Sequence, residues 1–573
     1  MIKNLKNFCA QGLTRSGFET TLIALIFFAL PLMVSPWFND MYTVVKWKAV
    51  QIFSLLALVQ LLFAGKKLTL PSLGRPFAYT LIAIFALWGW EHYFHRIPLM
   101  SHVTVDRFGF LVLTLFFYRT FSERPEVLRT VGHALMASMG IFIIAAFATK
   151  TIVPEDFMTM ATRKKFEFTF GNQNMAAVFF GVTFLCALRQ IYLSAAGRAK
   201  YLYGALSFIF LVMLLKTGCR SVTMGVMAGA GYYALMRSSF KHRRTLMATL
   251  IAVVLGALAI SPSLRQKTFN HRAEMIQSAV HMAKDYPLGI GRNKFNFYHL
   301  LYQSEDDVSP RAEHIVQTSP HTEPLKYLVE EGVPFVGLVL ILLFFFWRRC
   351  GTELMQAFRT HERMQFAGGV LLLLGAEFFF QFPFDVAFPF LMITCVLGFV
   401  LAHLKSSHAI NLSILVKTPL LCVYAAGVAI LLMSGLARGL KKDDYAFTKR
   451  ACDLAPFEWR SCNAHMRNAS LGNQPKELLG YSMRGLETRP YNTASILSIA
   501  RAFAQTAYYR ESCRFLHFYD RLFYHRSHIH ALVVKRCPVE DAKAELQMPL
   551  RDHYKSLFKG LTPENQTKLF HIL

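Results

Sequence analysis

Apolar residues along this chain fall into blocks separated by short polar stretches. Each block is roughly 17–24 residues long, the length at which an α-helix crosses a hydrocarbon layer of about 30 Å. The pattern predicts thirteen spanning helices, at 20–38, 41–63, 77–94, 106–121, 128–148, 172–192, 201–216, 220–237, 244–261, 324–347, 364–381, 386–404 and 415–437. The first block runs into Pro36–Trp37 with no small-residue cleavage motif, so it reads as a retained span. The expected fold class is an all-α polytopic membrane protein over 1–437, followed by a separate all-α domain over 438–573.

Composition agrees. Hydrophobic residues make up 54% of the 573 positions and charged residues only 17%, with mean hydropathy +0.34. A soluble globular chain carries about 25% charged residues. The net charge of +27 invites a nucleic-acid partner, but much of it lies in short loops where Lys and Arg set orientation, so no nucleic acid is expected. Alternate loops are basic: Lys66, Lys67 and Arg75; Arg124 and Arg129; Arg189, Arg198 and Lys200; Arg237, Lys241 and Arg243; Arg348, Arg349 and Arg359; Lys405 and Lys417. The loop Trp37–Asp40 carries no basic residue. Positive charge on the inner side therefore predicts a cytoplasmic N-terminus and a periplasmic C-terminal domain.

Three outer segments break the rule by being basic: Arg163–Lys165, Lys216–Arg220 and the long loop 262–323. Two readings account for this: anionic lipid headgroups, or a polyanionic ligand bound at the outer face. The long loop has structure of its own. Ser263–Lys284 places Met275, Ile276, Ala279, Val280 and Met282 at helical spacing, ahead of the turn Tyr286-Pro-Leu-Gly-Ile-Gly291. Loops of this length are usually functional or disordered, and a helix within it favours function.

The tail changes character after Ala437, becoming polar, basic and helical in pattern. Two helix ends followed by proline, at Ala451–Pro456 and Gly485–Pro490, lie 34 residues apart. That is the period of tetratricopeptide repeats, which would give the domain a protein partner; an unrelated helical bundle is the alternative. Cys452, Cys462, Cys513 and Cys537 all fall here. An even number in an oxidising compartment permits disulfides, the pairing left open, and the spacing matches no zinc motif.

Walker loops, HExxH and GxSxG are absent from the sequence. Glu305-Asp-Asp307 reads as a solvated loop face or a metal site, and no metal is assigned. What remains is the set of residues that the topology delivers to one outer face: Arg163, Asn172, Asn174, Lys216, Arg220, Arg272, Arg292, His321 and Glu330. Guanidinium forks grip phosphate oxygens, and a diphosphate can engage two of them. A histidine takes a proton from a hydroxyl near neutral pH. Pro324 suits the first turn of a helix that starts just after His321, and the dipole there keeps the imidazole neutral.

These residues lie in segments that resemble the O-antigen ligase and polymerase family of bacterial membrane glycosyltransferases. The resemblance rests on Gly171-Asn172-Gln-Asn174, on Lys216-Thr-Gly-Cys-Arg220-Ser221, and on Arg272 ahead of Pro287-Leu-Gly289-Ile-Gly291-Arg-Asn-Lys-Phe295. It continues through His321, Leu325, Leu328, Glu330 and Gly332. Thr322 stands where the family usually has Asn, and Cys219 where it has a small Ser. The resemblance implies an inner-membrane glycosyltransferase of the C type, working without nucleotide sugar, metal or other cofactor. It also implies an undecaprenyl-diphosphate-linked glycan as donor, His321 acting at the acceptor hydroxyl, and Arg220 and Arg272 facing phosphate. Lys216, Arg163, Arg292, Asn172, Asn174 and Glu330 are expected to bind the diphosphate or glycan. The acceptor expected first is lipid A–core, as in an O-antigen ligase; a polymerase or a protein O-oligosaccharyltransferase would use the same donor. A lipid or glycan transporter is the non-enzymatic alternative, but ionisable residues in mid-span are few, with Glu377 and His133 the clearest.

Overall fold

The computed structural model describes residues 15–35, 42–63, 68–71, 73–94, 102–152, 169–170, 173–194, 197–237, 275–292, 294–299, 302, 320, 322–381, 383–404, 407–410, 413–438, 444–454, 459–472, 474–488, 493–505, 509–522 and 537. Helices occupy twelve of the thirteen expected spans. The first eight are α1 (Arg15–Ala29, extended by a 3-10 turn over Leu30–Leu32), α2 (Thr43–Phe63), α3 (Arg75–Phe94), α4 (His102–Glu123), α5 (Val127–Ile152), α6 (Gln173–Leu193), α7 (Arg198–Thr217) and α8 (Arg220–Arg237). The expected segment 244–261 lies outside the described residues. After it come a helical stretch over 275–285, the short α9 (Phe295–Tyr298), α10 (Glu323–Glu330), α11 (Gly332–Thr360), α12 (Glu362–Phe380), α13 (Ala387–Leu401) and α14 (Ile414–Arg438).

Among the described residues, seven helices are long and apolar enough to cross a membrane by length and composition, and Ala387–Leu401 is apolar but shorter. Only 11% of the apolar window of α11 is buried, so Leu340, Ile341, Leu343, Phe344 and Trp347 face outward. Hydrocarbon is the solvent that suits such a surface, and the protein is a multi-pass membrane protein. The bundle interior is packed with phenylalanine, for example Phe53 edge-on to Phe116 with centroids 5.8 Å apart. Where α8 crosses α12 the helices touch through glycine: a Cβ on Gly229 would lie 2.3 Å from the Gly369 carbonyl oxygen. Small residues let backbones approach this closely where no hydrophobic effect drives helices together.

One expectation is corrected. The tenth span, read as one helix over 324–347, is two helices, with the membrane-spanning part beginning at Gly332 and running to Thr360. The break falls there because Gly332 has φ +86°, a left-handed conformation that interrupts helical hydrogen bonding. The all-α class holds, with one short strand pair added. Leu68–Pro71 (β1) and Ser407–Ile410 (β2) form an antiparallel pair, Leu68 opposite Ile410.

Contacts between distant segments sort the helix ends into two sets. At one end Arg124 reaches Glu19 and Thr20, Arg189 forks onto Glu362, and β1 pairs with β2. At the other, the Lys46 ammonium donates to the carbonyls of Met33 (2.8 Å) and Thr169 (2.5 Å), and Arg107 and Arg292 share Glu331. Every pair joins segments that the alternation of basic loops assigns to one side. The flanks of 244–261 also fall at opposite ends, since Tyr233 donates to Glu362 at the first while Arg292 lies at the second.

Beyond α14, five helices follow: α15 (Tyr445–Leu454), α16 (Trp459–Leu471), α17 (Pro475–Thr488), α18 (Thr493–Gln505) and α19 (Tyr509–Leu522). Each packs on the next. α16 and α18 begin 34 residues apart, as do α17 and α19. Disulfides join Cys452 to Cys462 and Cys513 to Cys537. Tyr298 and Tyr302 of the long loop pack against this domain's core, so the domain and the loop share one side. An alkaline phosphatase fused after Leu573 should therefore be active in cells, and one inserted at 64–67 inactive. The reverse pattern would invert the orientation read from the basic loops.

Candidate functional site

The last carbonyls of any helix lack partners within it. At α10 the turn 287–291 supplies them: the Ile290 N–H donates to Val329 O (3.0 Å) and the Gly291 N–H to Glu330 O (2.9 Å). One residue beyond the break, the Val333 N–H donates back to Pro287 O (2.9 Å). This face-to-face backbone contact requires glycine on both sides. A Cβ on Gly289 would sit 2.5 Å from Glu330 O, and one on Gly332 2.5 Å from the Leu288 carbonyl carbon, with φ at +89° and +86°. Glu330 adds a side-chain bond, its Oε1 accepting the Phe295 N–H at 3.3 Å. A small core of Ala279, Met282, Ile290, Phe295 and Val329 fills the space behind. The 275–285 helix turns Met275, Ala279 and Met282 inward, whereas Ile276 and Val280 from the expected apolar face are exposed.

Charge reinforces the clamp. Glu331, 5% exposed, accepts from Arg107 of α4 and from Arg292 Nη1 (3.1 Å). The two guanidinium groups also lie over the rings of Trp88 and Tyr327, at 4.6 and 4.8 Å. Next to this group the Lys326 ammonium pairs with Asp385 in the 3-10 turn Pro383–Asp385 that links α12 to α13. Glu323 Oε1 accepts the Phe384 N–H at 3.1 Å, and the Trp47 indole N–H donates to Asp385 O at 3.1 Å. Burial disfavours charge on Lys326, but Asp385 and Glu323 outweigh it and raise its pKa. Burial also pushes the Glu323 carboxyl up to about 7, with Lys326 opposing and Asp385 adding to the rise.

The expected site residues divide into three groups. Lys216 and Arg220 are exposed, with no ion-pair partner among the described residues. Gly218, left-handed at φ +68°, closes α7 through its N–H to Leu215 O and lets the chain restart at once, so Arg220 is the first residue of α8. The neighbouring Ser221 donates to Glu377 (2.7 Å), and Asn174 donates to Gln381 (3.4 Å), which puts these residues at the Asp385 end of the bundle. Arg292 and Glu330 reach the same end but face inward, tied up in the clamp. Arg163, Asn172, Arg272 and His321 lie outside the described residues, although the chain's entry into α10, through extended Thr322 with Pro324 in the first turn, is as expected. Sequence reasoning missed Arg107, Glu323, Lys326, Glu331 and Asp385. Partners so far apart in sequence leave no local signal, but Arg107 and Asp385 both sit at outer ends of expected spans and could have been paired with the loop by topology.

Residues 205–342 match the family model described as O-antigen ligase. The match runs from within α7 to within α11 and takes in Lys216, Arg220, Arg272, Arg292, His321 and Glu330. It supports an enzyme with a glycosyl-transfer role in polysaccharide synthesis. No curated protein matches the chain. Among the described residues no group of three or more His, Cys, Asp or Glu is placed to hold a metal.

Two substitutions test the clamp by thermal unfolding of purified protein in detergent. Gly332→Ala should cost about 1–3 kcal/mol through overpacking, with backbone strain added. Glu331→Ala should cost more, about 3–5 kcal/mol, because it strips two buried guanidinium groups of the carboxylate they share. A Glu331→Ala variant as stable as wild type would reduce the ion pairs to surface decoration.

Proposed function

We propose that the protein transfers a glycan from an undecaprenyl-diphosphate carrier to an acceptor hydroxyl at the periplasmic face of the inner membrane, with O-antigen moving onto lipid A–core. The observation that carries this reading is the pair of unpartnered cations, Lys216 and Arg220, at the outer end of the bundle within the stretch that matches the ligase family. Lys216 lies in the last turn of α7, while Arg220, the first residue of α8, adds to the positive end of that helix's dipole instead of cancelling it. Such a position repels cations and attracts an anion.

In the reaction, His321 takes the proton as the acceptor oxygen attacks the anomeric carbon. The bond from that carbon to the phosphate oxygen breaks, and the lipid diphosphate leaves with its charge held by Arg220 and Arg272. Lys216, Arg163, Asn172 and Asn174 bind the diphosphate or glycan. Preorganised cations at a leaving group contribute where charge develops. Arg292 and Glu330 serve the site by fixing the loop, since both are engaged in the clamp. The alternation of basic loops supports a periplasmic outer end, and the two disulfides of the C-terminal domain suit an oxidising compartment.

A second acceptor is favoured by one observation. The C-terminal helices carry a 34-residue period and pack on the long loop through Tyr298 and Tyr302, which supports a tetratricopeptide-like domain that presents a protein to the reaction. A deletion strain separates the readings by its surface polysaccharide on a gel. Loss of long chains from lipid A–core supports the ligase, single-repeat products a polymerase, and unglycosylated protein an oligosaccharyltransferase.

Residue roles are tested with purified lipid-linked donor and acceptor. Arg220→Ala and Arg272→Ala should each nearly abolish transfer with membrane insertion intact, and Lys should rescue only in part because an ammonium lacks the bidentate fork. His321→Asn should lose a factor of about 10²–10⁴, the usual contribution of a general base. Near-normal transfer by His321→Asn would end the base assignment.

A further inference from the structure

On the inner side of the clamp Arg107, Arg292 and Lys326 face Glu323, Glu330, Glu331 and Asp385, all but Asp385 largely buried. A carboxylate in such a low-dielectric cluster is costly unless it is paired and hydrogen-bonded. Glu331 takes both guanidinium groups and Asp385 takes the lysine, so each has a cation bonded to it. Glu323 has none: it is 0% exposed, only its Oε1 has a partner, a backbone N–H, and its Oε2 is buried without a hydrogen bond.

We infer that Glu323 acts as a neutral carboxylic acid, a positioning residue that must keep its proton for transfer to proceed. It begins α10 two residues after His321, so this rests on the His321 reading above. The neutral acid binds the Phe384 N–H and holds the first turn of α10 against the turn 383–385. Ionised, it adds a buried negative charge beside Asp385 and competes for Lys326, the only ammonium in the group. It also sets a negative field near a site that is to receive a diphosphate. The charged groups around it come from every neighbouring element: Lys326 on its own helix, Asp385 on the 383–385 turn and Arg292 on the long loop. Its carboxyl is pushed up to about 7, so the proton is lost near neutral pH.

The expected consequence is a fall in turnover as pH rises through about 7, caused by Glu323 and separate from the low-pH loss that protonation of His321 produces. The test measures kcat and donor KM against pH for the full-length protein in nanodiscs, with lipid-linked donor and acceptor. Glu323→Gln keeps an oxygen for the Phe384 N–H and cannot ionise. Its ratio of turnover at about pH 8.5 to that at about pH 6.5 should exceed the wild-type ratio roughly 10-fold or more, the change that a one-proton limb gives per pH unit, with donor KM unmoved. Asp385→Asn offers a second variant. It removes the charge that raises Glu323 and frees Lys326, so the alkaline limb should move to lower pH. A readout independent of activity is thermal unfolding. A carboxyl raised in the fold contributes stability that is complete below about 4.5 and lost as pH rises through about 7, and Glu323→Gln should remove that loss. An alkaline limb unchanged in Glu323→Gln and Asp385→Asn overturns the inference, and so does a wild-type stability profile in Glu323→Gln. Retained transfer by His321→Asn together with a moved limb would end the base reading alone, whereas a dead His321→Asn with an unmoved limb would end this one alone.

Discussion

Three backbone hydrogen bonds between the 287–291 turn and the α10–α11 junction decide how a long extramembrane loop returns to the bundle. The end of α10 needs donors for its carbonyls, and the turn needs acceptors for its N–H groups; each meets the other's requirement only if no side chain stands between them. That is why Gly289 and Gly332 face each other. Once the junction is fixed, Glu331 points at Arg107 and Lys326 at Asp385, so the loop is fastened to α4 and to the α12–α13 turn by charges that would be prohibitive unpaired. Thr322 and the first turn of α10 inherit their position from this anchoring.

The motif Pro-Leu-Gly-Ile-Gly thereby acquires a meaning that its composition does not give. Glycine-rich turns often cradle phosphate with their N–H groups, but here the N–H groups of Ile290 and Gly291 are spent on helix carbonyls. The turn is a structural clamp. Among the described residues, cations free to meet an anion lie elsewhere, at Lys216 and Arg220, where a left-handed Gly218 lets one helix stop and the next begin with two residues between them. Arg292, which sequence logic groups with these, is withdrawn into the clamp. Position in the sequence does not distinguish an arginine that binds ligand from one that holds the scaffold. Partners do.

Helix placement was legible because hydrophobic length is a strong signal: twelve expected spans coincide with helices, and the sidedness implied by loop charge agrees with which ends touch. The break at Gly332 was not, because Leu325, Leu328 and Val329 continue the apolar pattern of the following span without interruption. The β1–β2 pair was also hidden, being four residues long on each strand and separated by most of the chain. At the site, motif spacing pointed to the 216–220 and 287–292 segments, which lie at one end of the bundle, but not to the interlocking carboxylates. Asp385 looks like a loop residue until the fold brings it to Lys326. The even cysteine count permitted disulfides; only proximity selects Cys452 with Cys462 and Cys513 with Cys537.

Tyr298 and Tyr302 belong to two cores at once. On one side they close the small core beneath the clamp, where Tyr298 meets Tyr286 edge-on and Tyr302 donates to Asp285 at 2.6 Å. On the other they pack against the C-terminal helices. A displacement of those helices therefore cannot leave the 295–302 segment unchanged, and that segment is tied through the Phe295 N–H to Glu330. Glu330 is one residue from Glu331 and two from Gly332, so the path from the appended domain to the anchored junction is a short chain of direct contacts. The appended helices thus bear on the same few residues that hold the long loop to the membrane bundle.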